Sequence, residues 1–143
     1  MIITKILSLL MVAIIGFLHL SESMYALEVE GRQKISPSVV ISEVVVAENV
    51  EERVPIGIAD TFPVDIEKVY VFIEAKDIAT DTELTVEWYH EGKKVHSYTL
   101  PLQKGPRWRT YSYKNIYRQT GDWEVKVINK AGNEIKSITF QVK

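Results

Sequence analysis

From residue 38 onward the chain is written in twos. The stretch "EKVYVFIEA" sets Val69, Val71 and Ile73 against Tyr70, Phe72 and Glu74, and "ELTVEWYH" sets Leu84, Val86 and Trp88 against Thr85, Glu87 and Tyr89. Further on, "GDWEVKVIN" alternates Trp123, Val125 and Val127 with Glu124 and Lys126, and "EIKSITFQVK" puts Ile138, Phe140 and Val142 on one side. A period of two sends successive side chains to opposite faces of an extended strand, and no stretch shows the helical period. The segment around Val71 is apolar on both faces, as a central strand is. "SVVISEVVVAENV" is β-branched and reads as a first strand. "RVPIGIADTFP" carries Pro55 and Gly57, which belong on an edge strand or at a bulge. The turn Glu91-Gly92 leads "ELTVEWYH" into the return strand "KVHSYTLPL", and "KAGN" turns "GDWEVKVIN" back into "EIKSITFQVK". The pattern predicts an all-β fold over residues 38–143: a single antiparallel β-sandwich, immunoglobulin-like, with seven or eight strands. A small barrel is the alternative.

The first residues do something else. In "MIITKILSLLMVAIIGFLHLSESMYALE", Lys5 precedes an apolar run from Ile6 to Leu20, which is followed by small or polar residues. The run is short against the ~20 residues of a bilayer-spanning helix. Residues 1–26 therefore predict a secretory signal peptide, or an N-terminal anchor if it stays uncleaved, which would be the chain's one link to a membrane. Residues 27–37 are polar, have little pattern and read as a tether. Export is the expectation. With no cysteine in the chain, disulfides, thiolate metal sites and thiol chemistry are excluded, and packing alone must hold the domain.

Charge is uneven along the sequence. Residues 27–91 are acid-rich and residues 92–143 base-rich, although the whole chain carries a formal net charge of −2. A basic face for an anionic partner is one reading. Acidic and basic strands offsetting each other as sheet neighbours is the other, and the near-zero total favours it.

Chemistry is hard to find. His90 and His96 flank the Glu91-Gly92 turn near Glu87 and Glu91, but no further ligand has metal-site spacing, so no metal and no cofactor are expected. There is no nucleophile elbow, no phosphate loop and no paired-carboxylate signature, so the chain does not read as an enzyme. Export and a slightly negative charge argue against nucleic acid.

The densest stretch is "GPRWRTYSYK", residues 105–114. As a strand it divides in two. Trp108, Thr110, Ser112 and Lys114 point one way, with Trp108 toward the core, while Arg107, Arg109, Tyr111 and Tyr113 form a ladder on the opposite face. Guanidinium forks beside aromatic rings suit sugars, carboxylates or phosphates; the same ladder also serves as a cross-strand stabiliser paired with acids. These four residues are the candidate ligand-binding set.

Taken in order, "VEWYHEGKKV", "RWRTYSYK" and "GDWEVKVINKAGNEIKSITFQV" resemble the bacterial domain-of-unknown-function family 2914, with a matching span of roughly Val39 to Val142. The resemblance implies a compact β-sandwich in exported or membrane-linked bacterial proteins and implies no activity. Family members often place a His just before the Trp of the first block, whereas here His90 follows Trp88. The expectation is a non-enzymatic module of the periplasm or cell envelope that binds another envelope protein, or an anionic glycan or peptide, through the Arg/Tyr face. The alternative is a structural accessory domain that assembles through a sheet edge without a ligand.

Overall fold

The computed structural model describes residues 39–143; the signal peptide and the tether expected from the sequence lie outside them. Among the described residues nine strands follow one another without a helix: β1 (Val40–Glu51), β2 (Val54–Ile58), β3 (Thr61–Phe62), β4 (Lys68–Ile78), β5 (Thr82–His90), β6 (Lys93–Leu102), β7 (Gly105–Asn115), β8 (Gly121–Asn129) and β9 (Glu134–Val142). They form two sheets, of order β2-β1-β4-β7 and β3-β9-β8-β5-β6. The alternating residues meet between them. Val46, Val71 and Ile73 from the first sheet and Leu84, Trp88, Trp123, Val125 and Phe140 from the second belong to one buried cluster. The result is all-β and β-sandwich-like.

Two expectations change in detail. The strands are more numerous than seven or eight, because "RVPIGIADTFP" divides into two short strands, one in each sheet. The arrangement is also not wholly antiparallel: β3 runs parallel to β9, with Phe62 opposite Val142. The chain crosses between sheets at Ala59-Asp60, where Ala59 N–H donates to Val46 O (3.3 Å) and Gln141 N–H donates to Asp60 O (2.9 Å). As Pro55 and Gly57 suggested, β2 is an edge strand, and β4 has a neighbour on either side.

Part of the charge imbalance resolves across neighbouring strands, at Glu74 and Glu87. Glu87 on β5 receives Lys94 Nζ from β6 at 3.0 Å and lies opposite Lys126 of β8, while Lys126 reaches Glu134 of β9 at 3.4 Å. The Tyr89 hydroxyl, first, and then Lys94 hold the Glu87 carboxyl below the usual carboxylate range.

The β5–β6 turn is tied to the start of β8. Glu91 N–H donates to Asp122 O (2.9 Å), and Asp122 N–H donates to Glu91 Oε1 (2.7 Å). Gly121 makes this possible. Its φ of 109° lies where side chains are rarely accommodated, and a β-carbon would run into the Glu91 carboxylate. Gly121→Ala is expected to cost about 1–3 kcal/mol, seen as a lower urea midpoint with an unchanged slope.

Candidate functional site

Strand β7 pairs with β4 in continuous register: Tyr70 opposite Tyr113, Phe72 opposite Tyr111, Glu74 opposite Arg109 and Lys76 opposite Arg107. Val71, Ile73 and Ala75 face the core, so their partners Ser112, Thr110 and Trp108 do too, and the division of "RWRTYSY" into two faces holds. Trp108 is only partly buried against the core, with the Arg53 guanidinium 5.6 Å above its ring.

Both arginines on the outer face already have a partner. Arg107 Nε and Nη2 donate to Glu74 Oε2 at 2.6 and 2.5 Å, and Arg109 Nε reaches the same oxygen at 3.0 Å. The other carboxylate oxygen accepts from the Ser42 hydroxyl at 3.0 Å, and Lys76 Nζ stands 3.8 Å away. Glu74 is 6% exposed although it points away from the core, because the long side chains of its neighbours cover it. The Arg109 hydrogen bond, joined by Ser42, holds its carboxyl below the ordinary range against the opposing effect of desolvation. One carboxylate shared by two guanidiniums leaves net positive charge at the surface, with half of the Arg107 side chain exposed.

Tyr111 and Tyr113 stand beside this cluster and are open to solvent. Tyr70 lies between them, its ring centroid 6.0 Å from Tyr111 and 5.5 Å from Tyr113, and Lys68 Nζ caps Tyr113 at 4.7 Å. The register carries apolar character across the sheet. Ile58, Ala47, Tyr70 and Tyr113 form one row spanning all four strands, and Val45, Phe72 and Tyr111 form the next. The outer face of the other sheet is unlike it, with Glu87 beside Lys126 and Ser97, and Glu124 beside Thr139.

A second feature adjoins the first. β6 and β7 are consecutive in the chain yet end different sheets, and a cleft of about 610 Å³ lies between them. On the β6 side are His96, Tyr98 and Leu100; on the β7 side are Tyr111 to Asn115. Leu100, Tyr98 and His96 stand opposite Leu84, Val86 and Trp88, so all three share the core-facing side of their sheet. Leu102 and Leu100 are buried there, but Tyr98 is 53% exposed and His96 is exposed as well. The sandwich gapes at this corner. Neither Tyr98 nor Tyr117, which lines the far end, was singled out from the sequence. The phase of "HSYTLPL" places Tyr98 in step with two buried leucines, a signal that could have found it.

The histidines are not brought together as ligands. His90 stacks on Trp123 at 4.4 Å with Nε2 2.8 Å from Thr120 O, and His96 stacks on Tyr98 at 6.5 Å. Among the described residues no group of three His, Cys, Asp or Glu side chains is placed to hold a metal ion.

Residues 81–142 match the family model described as "Protein of unknown function (DUF2914)". Over this part of the chain the match bears out the resemblance to the DUF2914 family. The match is shorter than the span from Val39 expected on the sequence: it takes in β5 to β9 and leaves β1 to β4 outside. The blocks that carried the resemblance have structural work in the fold. In the closing DUF2914 block, Gly121 and Gly132 have φ of 109° and 90°, while Trp123, Val125 and Val127 are buried. In the middle block Arg107 and Arg109 grip Glu74, which lies outside the matched residues. None of the curated proteins matches the chain. Among solved structures it is similar to beta-glucosidase from Listeria innocua. A mutant with laminaribiose matches at 12% identity and a TM-score of 0.47 over 74% of this chain. The glucose complex matches at 12% and 0.46 over 73%. In both cases the chain spans only 16% of the other's length.

Proposed function

We propose that this chain is a non-catalytic module of the bacterial cell envelope, exported by residues 1–26, whose domain binds another envelope protein through the outer face of the β2-β1-β4-β7 sheet. The domain is of immunoglobulin type in this reading. The support is the strand order: β1-β4-β7 against β9-β8-β5-β6 follows the A-B-E and G-F-C-C′ order of such sandwiches, with the β2 hairpin and β3 added.

One observation carries the binding reading. A half-exposed antiparallel sheet normally turns polar residues outward, as the five-stranded sheet does, but the four-stranded sheet carries Ile58, Tyr70, Phe72, Tyr111 and Tyr113 in two adjoining rows. Ile56, Ile58, Tyr111 and Tyr113 remain more than two-fifths exposed. Contiguous apolar surface rich in tyrosine and rimmed by arginine has the composition of a protein-binding patch. Arg107 and Arg109 form its rim, aligned by Glu74, and Tyr111 and Tyr113 form its β7 end. The arrangement favours a protein over an anionic glycan, because the arginines already share a carboxylate while Ile58, Tyr111 and Tyr113 at the ends of the apolar rows stay open to solvent, although Ala47 and Phe72 between them are buried.

The test places a photo-crosslinking phenylalanine derivative at Tyr113 of the whole chain in cells. The expected result is one recurrent adduct, reduced about tenfold by Ile58→Glu at the far end of the row and missing when the probe stands at Thr139 on the other sheet. No adduct at Tyr113, or the same adduct at Thr139, would overturn the reading.

A further inference from the structure

We propose that the cleft between β6 and β7 receives an extended acidic peptide, which adds to the free edge of β7 as a further strand. This goes beyond the outer-face reading and rests on different observations.

The first is geometric. β6 and β7 are each terminal in their sheets, so each has one side whose backbone N–H and C=O groups pair with no strand among the described residues. Facing sheets lie ~10 Å apart and paired strands ~4.8 Å apart, so one strand fits in the gape with room for side chains on both sides. The β7 side of the cleft is the unbroken run Tyr111 to Asn115, about 17 Å of strand. That run contains neither Pro nor Gly and no register shift against β4, so its free edge is straight. Main-chain pairing to such an edge supplies affinity, and the flanking side chains supply selectivity.

The second observation is the lining. His96, Tyr98, Tyr111, Tyr113 and Tyr117 surround the cleft with surfaces that are apolar at the ring and polar at the tip. Tyr117 is held at the end of the cleft. It sits with Arg118 in a turn where both have positive φ (51° and 60°), its hydroxyl accepts from Asn115 Nδ2 at 3.2 Å, and Lys114 Nζ lies 5.3 Å from its ring. Two bulky residues in that conformation are strained, and the turn sets a 73%-exposed tyrosine at the mouth of the cleft.

The third observation is charge, and it selects the occupant. No Asp or Glu occurs from Gly92 to Gly121, so β6 and β7 carry no acid, and of the residues that line the cleft Lys114 is the charged one; Lys93, Lys94, Arg107 and Arg109 lie elsewhere on the same two strands. Lys94 is paired with Glu87, and Arg107 and Arg109 with Glu74. Among the described residues Lys114 has only the Asn115 carbonyl, at 2.8 Å, and the Tyr117 ring. A lysine turned toward the inner side of an edge strand repels apolar or basic strands; for a strand with a carboxylate at alternate positions it is the matching charge.

The experiment pans a random peptide library against the whole chain, then measures synthetic copies of the enriched peptides by calorimetry. Enriched sequences are expected to carry Asp or Glu at alternating positions. Their affinity should fall about tenfold on Lys114→Glu and less on Lys114→Gln, and should be lost when the peptide amides along one edge are N-methylated. Ile58→Glu should leave it unchanged, which separates this site from the outer face. If Lys114→Glu fails to fold, Lys114→Gln and N-methylation decide. Enrichment without acidic alternation, no enrichment at all, or binding that survives N-methylation of each edge in turn overturns the proposal. So does self-association of the chain abolished by Lys114→Glu in place of peptide binding.

Discussion

Trp123→Ala is expected to cost about 3–5 kcal/mol, a large part of the about 5–15 kcal/mol that holds an ordinary domain together. Trp123 is 1% exposed and lies at the centre of an aromatic cluster. Its ring stacks on Phe140 at 5.9 Å and on His90 at 4.4 Å, and Phe140 turns its ring toward Trp88 (6.3 Å) and Phe62 (5.7 Å). The truncation therefore removes contacts from several strands of one sheet at once and leaves a hole that the rigid ladders on either side cannot close. The indole N–H also donates to Gln119 O at 3.1 Å, which fixes the loop before β8. Trp123→Phe keeps the stacking and gives up that hydrogen bond and some volume, so it should lose less than half as much. Urea unfolding followed by circular dichroism reads both. An alanine variant within about 1 kcal/mol of the parent would mean that this cluster is not the centre of the core.

The second large effect is conditional on pH. The Glu74 carboxyl is held below its ordinary range chiefly by Arg109, so its ionised form is favoured by folding. A group whose folded pKa is lowered contributes stability above its unfolded value, ~4.3 for Glu, and that contribution disappears as pH falls through the folded value. Glu74→Gln keeps the shape and removes the charge. Its melting temperature should lie clearly below that of the parent at pH 7, and the gap should close as the solution is taken well below pH ~4. The Arg107→Ala/Arg109→Ala double variant should converge with the parent over the same window, because it removes the same coupling from the other side. A gap that stays constant down to acid pH would show that the guanidiniums do not depend on Glu74 and stand free for a ligand. The outcome also governs how any loss of binding in the arginine variants is interpreted, since the two arginines are part of how β7 is held to β1 and β4.

Which side of each strand faces inward could be read from the sequence; which strands lie side by side could not. The phase of Leu84, Val86 and Trp88, and of Trp123, Val125 and Val127, places all six in the core, because burial on one face needs only the period-two pattern. The separation of Arg107, Arg109, Tyr111 and Tyr113 from Trp108 follows from the same period. That Glu74 captures both arginines depends on β4 and β7 becoming neighbours across more than thirty residues, and nothing local to either strand specifies that choice. β3 was hidden for another reason: two residues are too few to show a period. The positive-φ turns at Glu52-Arg53 and Tyr117-Arg118 lack the Gly or Asn that ordinarily marks them, so the turn that places Tyr117 at the cleft had no signature in its residue types.

The parallel pairing of β3 with β9 has a consequence for the order in which the molecule can be completed. Lys143 N–H donates to Phe62 O at 3.0 Å, and Val64 N–H donates to Lys143 O at 2.8 Å, so these contacts join points about 80 residues apart, the kind of separation that slows folding. A chain delivered from its N-terminus, by a ribosome or through a translocation pore, can emerge as far as β8 and still have Phe62 without a seat and one side of β8 unpaired. Closure waits for Glu134–Val142. Until then the half-built sheet exposes the surface that holdase chaperones recognise, so the delivery of β9 should time the end of chaperone dependence.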